Sequence, residues 1–356
     1  METLGLMITA NNFAGAKVLI TGNSGFKGSW LQLWLQLQGA EVTGLSLPPS
    51  TNPNHRDCLF PEARQSWIDV RDSDKVKSLV AEIKPDVIFH LAAQPLVRDS
   101  YRDPIGTWQT NVLGTANVLD ACRDLHRPCA VVIATSDKCY LNKATGRAFV
   151  EDDPLGGKDP YSASKAAAEI LASSYRDSFF GTDSEVLVAT VRAGNVIGGG
   201  DWSDDRLVPD AVRACFEGHP LKIRYPQATR PWQHVLEATA GYTRLAAKLI
   251  EGDRSFARSW NFGPQGSENR PVIDVLSVLA VAWPQLTWAQ EERGAPQEAP
   301  LLALDSSLAY EKLGWRPVWD FTTTIARTVE WYDAWYSSSH AITEEQITAY
   351  QQEVSP

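Results

Sequence analysis

The chain has 356 residues, a formal net charge of −10, and 44% hydrophobic against 21% charged residues. Its length suggests two units rather than one core, and its composition is that of an ordinary globular protein. The acidic balance speaks against a nucleic-acid partner, so a polyanionic ligand must meet a local cluster of arginines or a helix N-terminus.

Residues 17–21 are a short apolar run that reads as a strand, followed by a helix over 28–38. In that helix Trp30 and Trp34, and Leu31 and Leu35, share faces four residues apart, and Gly39 is a plausible stop. A strand follows over 41–47, and a short third strand precedes Asp69. A helix over 74–83 is closed off by Pro85. Residues 86–92 form a buried strand, 107–123 a helix, 130–136 a strand, 161–175 an Ala-rich helix and 186–192 a strand. Strands alternating with helices imply βαβ units with right-handed crossovers, hence an α/β fold on a doubly wound, Rossmann-like parallel sheet. After Gly194 the rhythm breaks. Helical runs over 207–217, 235–250, 272–282 and 322–335 alternate with glycine-rich and polar segments, and 260–263 could return as a last strand. The expected division is a dinucleotide-binding domain over 1–193, with returning segments near 232–265. A smaller, interleaved substrate domain lies mainly over 194–356. The 13 tryptophans read chiefly as packing residues.

Thr21-Gly22-Asn23-Ser24-Gly25-Phe26-Lys27-Gly28 stands between the first strand and the first helix. Its spacing is T-G-x-x-G-x-x-G. Glycines there permit a tight turn and a close backbone approach to a pyrophosphate, whose charge meets the helix N-terminus. An acidic residue normally follows at the end of the second strand and accepts the ribose hydroxyls. Here that place reads Gly44-Leu45-Ser46-Leu47-Pro48, leaving Ser46 as a weaker partner and NAD versus NADP open on physics. Asp69 suits an adenine amino group, or equally a helix cap or turn.

Pro160-Tyr161-Ser162-Ala163-Ser164-Lys165 opens a helix with Tyr161 and Lys165 four residues apart, on one face. A free tyrosine titrates near ~10 and is a poor base at neutrality. A neighbouring ammonium and a positive nicotinamide ring favour the phenolate. Such a residue takes the proton of a substrate hydroxyl while the carbon gives up hydride.

The glycine-rich turn together with Y-x-x-x-K resembles the extended short-chain dehydrogenase/reductase family over nearly the whole chain. Supporting segments are His90-Leu91-Ala92-Ala93-Gln94, the 110–115 stretch around Asn111, Arg192-Ala193-Gly194-Asn195 and Lys312-Leu313-Gly314-Trp315. The resemblance implies NAD held by Gly22, Ser24, Gly25, Phe26, Lys27, Gly28, Ser46, Asp69 and Val70. Leu91, Ala92, Ala93, Tyr161, Lys165 and Arg192 would complete that site, and Lys165 would reach the nicotinamide ribose. It further implies a nucleotide sugar held by Gln94, Asn195, Arg206 and Arg230.

Thr135-Ser136-Asp137-Lys138 is similar to the catalytic segment of the family's 4,6-dehydratase branch, which usually reads T-D-E. By that resemblance Ser136 orients the sugar 4-hydroxyl and Asp137 protonates the departing 6-hydroxyl. Lys138 replaces the glutamate that removes the carbon 5 proton. A lysine serves as base only when neutral; otherwise it is an ion-pair partner, and the sequence leaves both open. The Asp-Lys version, with Gly25-Phe26-Lys27-Gly28 and Arg230-Pro231-Trp232-Gln233-His234, resembles the dehydratases acting on CDP-glucose. A 4-epimerase of the same family would need no acid and base beside Tyr161. A cofactor sensor on this fold could lose Tyr161 and Lys165 without penalty.

The cysteines, Cys58, Cys122, Cys129, Cys139 and Cys215, form no C-x-x-C pair. That argues against a disulfide framework and a zinc site, so no metal is expected. No basic leader precedes the first apolar run, and no stretch could span a bilayer. The expectation is a cytoplasmic protein that forms a homodimer or homotetramer, as the family does through the helices over 107–123 and 161–175.

Overall fold

The structure is a computed structural model that describes residues 13–60, 65–143, 146–264, 269–290 and 302–354. In chain order the first half comprises β1 (Lys17–Thr21), α1 (Phe26–Leu37), β2 (Glu41–Ser46), α2 (His55–Leu59), β3 (Gln65–Trp67), α3 (Ser73–Ile83) and β4 (Val87–His90). It continues with α4 (Val97–Arg102), α5 (Pro104–Trp108), α6 (Gly114–Cys122), β5 (Cys129–Ala134), α7 (Pro160–Ser178) and β6 (Val186–Ala193). The helix expected over 107–123 is interrupted by a π-helical turn at Gln109–Leu113, between α5 and α6.

These strands form a seven-stranded parallel sheet in the order β10-β6-β5-β4-β1-β2-β3, where β10 is Ser259–Phe262. The expected return of 260–263 to the sheet is thus observed. The order reverses between β1 and β4. In open α/β sheets that crevice, at the carboxyl ends of the strands, is where ligands bind. The period of two sorts the side chains to the two faces. Val18 and Ile20 pack with Trp30 and Trp34 of α1, whereas Leu19 packs with Val76, Val80 and Val118 on the other face.

Beyond β6 lie β7 (Asn195–Ile197), α8 (Leu207–Glu217), β8 (Leu221–Ile223), β9 (Thr229–His234) and α9 (Val235–Ile250). After β10 come β11 (Asn269–Pro271), α10 (Val272–Ala282), β12 (Trp288–Gln290), α11 (Ser307–Lys312), α12 (Phe321–Ser338) and α13 (Thr343–Val354). Strands β11, β9 and β7 make a small sheet, and β12 pairs with β8. One apolar cluster runs through both halves, from Trp30 to Trp331 and Tyr350. Two of its tryptophans, Trp30 and Trp331, are buried with their N–H groups satisfied. Trp30 Nε1 donates to the Gly199 carbonyl at 2.9 Å and Trp331 Nε1 to Thr343 Oγ1 at 2.9 Å. His55 sits between these two rings, hydrogen-bonded to Ser29 and Thr343. This seam fixes the start of α1 against the loop that follows β7. Among the described residues no helix is long and apolar enough to cross a membrane.

Candidate active site

A cavity of about 660 Å³ opens at the carboxyl ends of β1, β4, β5 and β6 and is closed on its far side by the small sheet and α8. All six predicted residues of the first turn line it: Gly22, Ser24, Gly25, Phe26, Lys27 and Gly28. Gly22 has φ +74° and lies so close to the loop after β4 that a Cβ would meet the Ala92 nitrogen at 2.7 Å. A Cβ on Gly28 would meet the Gly22 carbonyl oxygen at 2.2 Å. Both glycines are therefore demanded by close approach, and together they bring the N-terminus of α1 to the cavity wall.

Ser46, Asp69 and Val70 line the end of the cavity beside β2 and β3. Ser46 Oγ accepts from Gln65 Nε2 at 3.1 Å. The Asp69 carboxylate is gripped by the Arg71 guanidinium, which holds its pKa below the usual range. Asp69 is thus a turn residue that also faces the cavity; the cap of α3 is Asp72. Leu91, Ala92 and Ala93 line the wall after β4. Behind them the buried His90 bridges Thr21 and Thr115, and burial lowers its pKa to about 3, so it is neutral.

Two expectations are corrected here. Gln94 does not line the cavity: its amide is spent on Thr107 Oγ1 (2.9 Å) and the Leu96 N–H (2.6 Å), and its backbone on Asn111. Arg192 does not reach the cavity either. Its Nε and Nη2 meet Glu169 at 2.9 and 2.8 Å, and Nη1 meets the Tyr140 hydroxyl and the Glu151 carbonyl. Arg192 points inward along β6 because Glu169, one turn beyond Lys165 on α7, is buried and must be neutralised.

The turn after β5 carries Ser136, Asp137 and Lys138, and α7 brings Tyr161 and Lys165 against it; all five line the cavity. Pro160 occupies the first turn of α7 and Asp159 caps it, accepting from the Ser162 N–H at 2.9 Å. Ser136 hydrogen-bonds Tyr161 and also donates to Asp137 Oδ1 at 3.1 Å. Asp137 is 1% exposed, and its second oxygen has no partner among the described residues. Lys138 Nζ lies 3.7 Å from Asp137 Oδ1 with its side chain 22% exposed.

Burial pushes the Tyr161 phenol above its usual pKa, opposed first by Lys138, then by the Ser136 hydrogen bond and Arg206. Lys165, expected to be the chief cation acting on Tyr161, instead donates to the Ala134 carbonyl at 3.1 Å. Burial lowers its pKa to about 8 despite the nearby Glu169.

On the far side Asn195 of β7, Arg206 at the start of α8, and Arg230 and Trp232 of β9 line the cavity. Arg206 is paired with Asp201 at 2.8 Å. The structure adds residues that sequence reading missed. Arg98 reaches across to Asp205 at 2.7 Å, and Lys222 of β8 and Arg224 just after it line the wall. The only signal for the last two was their alternate spacing, which puts both on one face of a strand. Among the described residues no group of three or more His, Cys, Asp or Glu side chains could hold a metal.

Comparison with known proteins agrees with this geometry. A Salmonella typhimurium protein named CDP-glucose 4,6-dehydratase is 44% identical over 336 residues, spanning 92% of this chain and 94% of that protein. The solved Thermus thermophilus UDP-glucose 4-epimerase in complex with NAD is 26% identical with a TM-score of 0.76, covering 89% of this chain and 99% of its own. A Bacillus anthracis dTDP-glucose 4,6-dehydratase shares the fold at a TM-score of 0.74 and 20% identity, over 90% of this chain and 97% of its own. The family model described as GDP-mannose 4,6 dehydratase matches residues 19–328, and the chain belongs to that family.

Proposed function

We propose that the chain is an NAD-dependent CDP-glucose 4,6-dehydratase, converting CDP-D-glucose to CDP-4-dehydro-6-deoxy-D-glucose and water. The observation that carries the reading is Asp137. It is a buried carboxyl with one unpartnered oxygen, set between Ser136 and Lys138 and facing Tyr161 across one cavity. A 4-epimerase needs Tyr161 but has no use for an added acid and base.

The first turn fits a dinucleotide, because its glycines leave room that a Cβ would fill and α1 presents its positive end to the cavity. NAD, when bound there, takes up a hydride and gives it back, and its positive ring favours the Tyr161 phenolate. Tyr161, steadied by Ser136, removes the proton of the 4-hydroxyl and leaves a ketone at carbon 4. The ketone acidifies the carbon 5 proton, which Lys138 takes in its neutral amine form, becoming the ammonium. Asp137 donates a proton through its free oxygen to the departing 6-hydroxyl, which leaves as water. Arg206 and Arg230 hold the diphosphate, since planar guanidinium groups match phosphate oxygens in pairs.

Incubation with CDP-glucose, followed by alkaline absorbance and mass spectrometry, tests the activity. A keto product lighter than substrate by one water is expected; a 4-epimer without keto product would point to the epimerase. For Lys138→Ala in deuterated solvent, loss of carbon 5 exchange is expected, and unchanged exchange removes Lys138 as the base.

The assembly is read as a homodimer through α5, the π-helical turn, α6 and α7, whose outward faces leave Ile105 (66%), Leu113 (56%) and Ile170 (60%) exposed. Sedimentation at micromolar concentration tests it. A cytoplasmic location fits a chain whose proposed substrate is a nucleotide sugar.

A further inference from the structure

The roles above leave the side chain of Lys27 without a task. Lys27 is the second residue of α1 and lines the cavity. A cation there is the wrong sign for a helix N-terminus, and no acidic residue stands in that first turn to offset it. Three neighbouring cations of the cavity have protein partners: Arg206 has Asp201, Arg98 has Asp205, and Lys165 has the Ala134 carbonyl. Among the described residues no hydrogen bond or ion pair holds the Lys27 ammonium.

The position of α1 decides which way this charge can act. Trp30, one turn along, is pinned to the Gly199 carbonyl at 2.9 Å, and the Phe26 ring abuts Gly198. The first turn of α1 therefore sits against the loop that carries Asp201 and Arg206. The charges that bear on Lys27 belong to the catalytic and substrate end: Arg206, Lys165, Asp137 and Lys138. Burial, followed by its cationic neighbours, lowers its pKa to about 8. A half-buried cation crowded by other cations is stabilised by an anion placed among them. The neutral hydroxyls of a sugar cannot supply that charge, and a cofactor pyrophosphate is already met by the glycine turn and the end of α1.

We propose that the Lys27 ammonium, together with Arg206, binds the sugar-side phosphate of the nucleotide sugar, so that the turn holding the cofactor also reads the charge of the substrate. This rests on the reading of the chain as a nucleotide-sugar enzyme. It departs from the sequence expectation, which gave Lys27 to the cofactor.

The test is calorimetric titration of the NAD-loaded protein with CDP and with CMP, which lacks the outer phosphate, in wild type, Lys27→Met and Lys27→Arg. Loss of one charge-assisted hydrogen bond predicts about a tenfold to hundredfold weaker CDP affinity in Lys27→Met. CMP affinity and NAD content should be little changed, and Lys27→Arg should restore most of the CDP binding. Unchanged CDP affinity, equal losses for CDP and CMP, or loss of NAD alone would each overturn the proposal. If UDP or dTDP binds in preference to CDP and shows the same Lys27 dependence, the role stands and only the cytidine reading falls. If wild type binds none of the three, both fall.

Discussion

Glu237 offers a quantitative test of how the two halves of the molecule are joined. It stands in the first turn of α9 and is completely buried. One carboxylate oxygen accepts from the Val318 and Trp319 N–H groups at 3.0 and 2.8 Å, and the other from the Tyr350 hydroxyl at 2.6 Å. It thereby ties the segment before α12, and α13 itself, to the core. Burial raises its pKa from 4.5 to about 7, only partly offset by those three hydrogen bonds. A raised acid binds more protons when folded than when unfolded between those two values. Its contribution to stability is therefore full below about 4.5 and is lost as pH rises towards 7 and beyond. The gap between the two values, at 1.36 kcal/mol per pH unit, amounts to about 3 kcal/mol. Glu237→Gln keeps the size, the acceptor for the two amides and a polar contact for Tyr350, but does not titrate. Urea unfolding at pH 5, 6, 7 and 8 should show the wild type losing about 2.5 kcal/mol relative to the variant across that range, the rest of the gap lying below pH 5. Other titrating groups cancel in the difference. Parallel stability curves for the two proteins would refute the account, because they would mean that Glu237 ionises folded as readily as unfolded.

The remaining predictions concern the site and its support. Tyr161→Phe removes the phenol but keeps the ring, so kcat should fall by about 10²- to 10⁴-fold while CDP affinity by calorimetry stays within a few-fold. Arg192→Met strands the buried Glu169 carboxylate and should cost about 3–5 kcal/mol in urea unfolding. The double variant with Glu169→Met should recover much of that loss, and equal losses would deny the coupling. In Gly28→Ala the new methyl would collide with the Gly22 carbonyl oxygen. The purified variant should therefore carry little or no NAD by mass spectrometry of released nucleotide, whereas Gly181→Ala, where the added Cβ meets nothing within 4 Å, should retain it.

What could be read from the sequence was local. The strand–turn–helix at Gly22 to Gly28 is a matter of consecutive φ/ψ choices and a period change from two to 3.6, both visible in adjacent residues. Tyr161 and Lys165 face the same way because four residues make about one helical turn, and Asp159-Pro160 announces where that turn begins. Ser136, Asp137 and Lys138 could be placed because they directly follow a recognisable buried strand. The parallel sheet follows from the same alternation as far as β6, whereas β10 comes after that rhythm breaks and showed only as a short run that could return as a strand. The tertiary structure decided which charges meet. Arg192 and Gln94 looked like ligand residues by position, yet their partners Glu169, Tyr140 and Thr107 lie 13 to 52 residues away. Lys138 and Arg206, not Lys165, became the cations bearing on Tyr161, because Lys165 found a carbonyl at the end of β5. Lys27 gained its setting only when Trp30 locked α1 against the loop after β7. Hydrophobic periodicity specifies which face of an element is buried. The partner of a buried charge is set by which elements the packing brings within about 3 Å, the reach of a hydrogen bond, and no spacing along the chain encodes that.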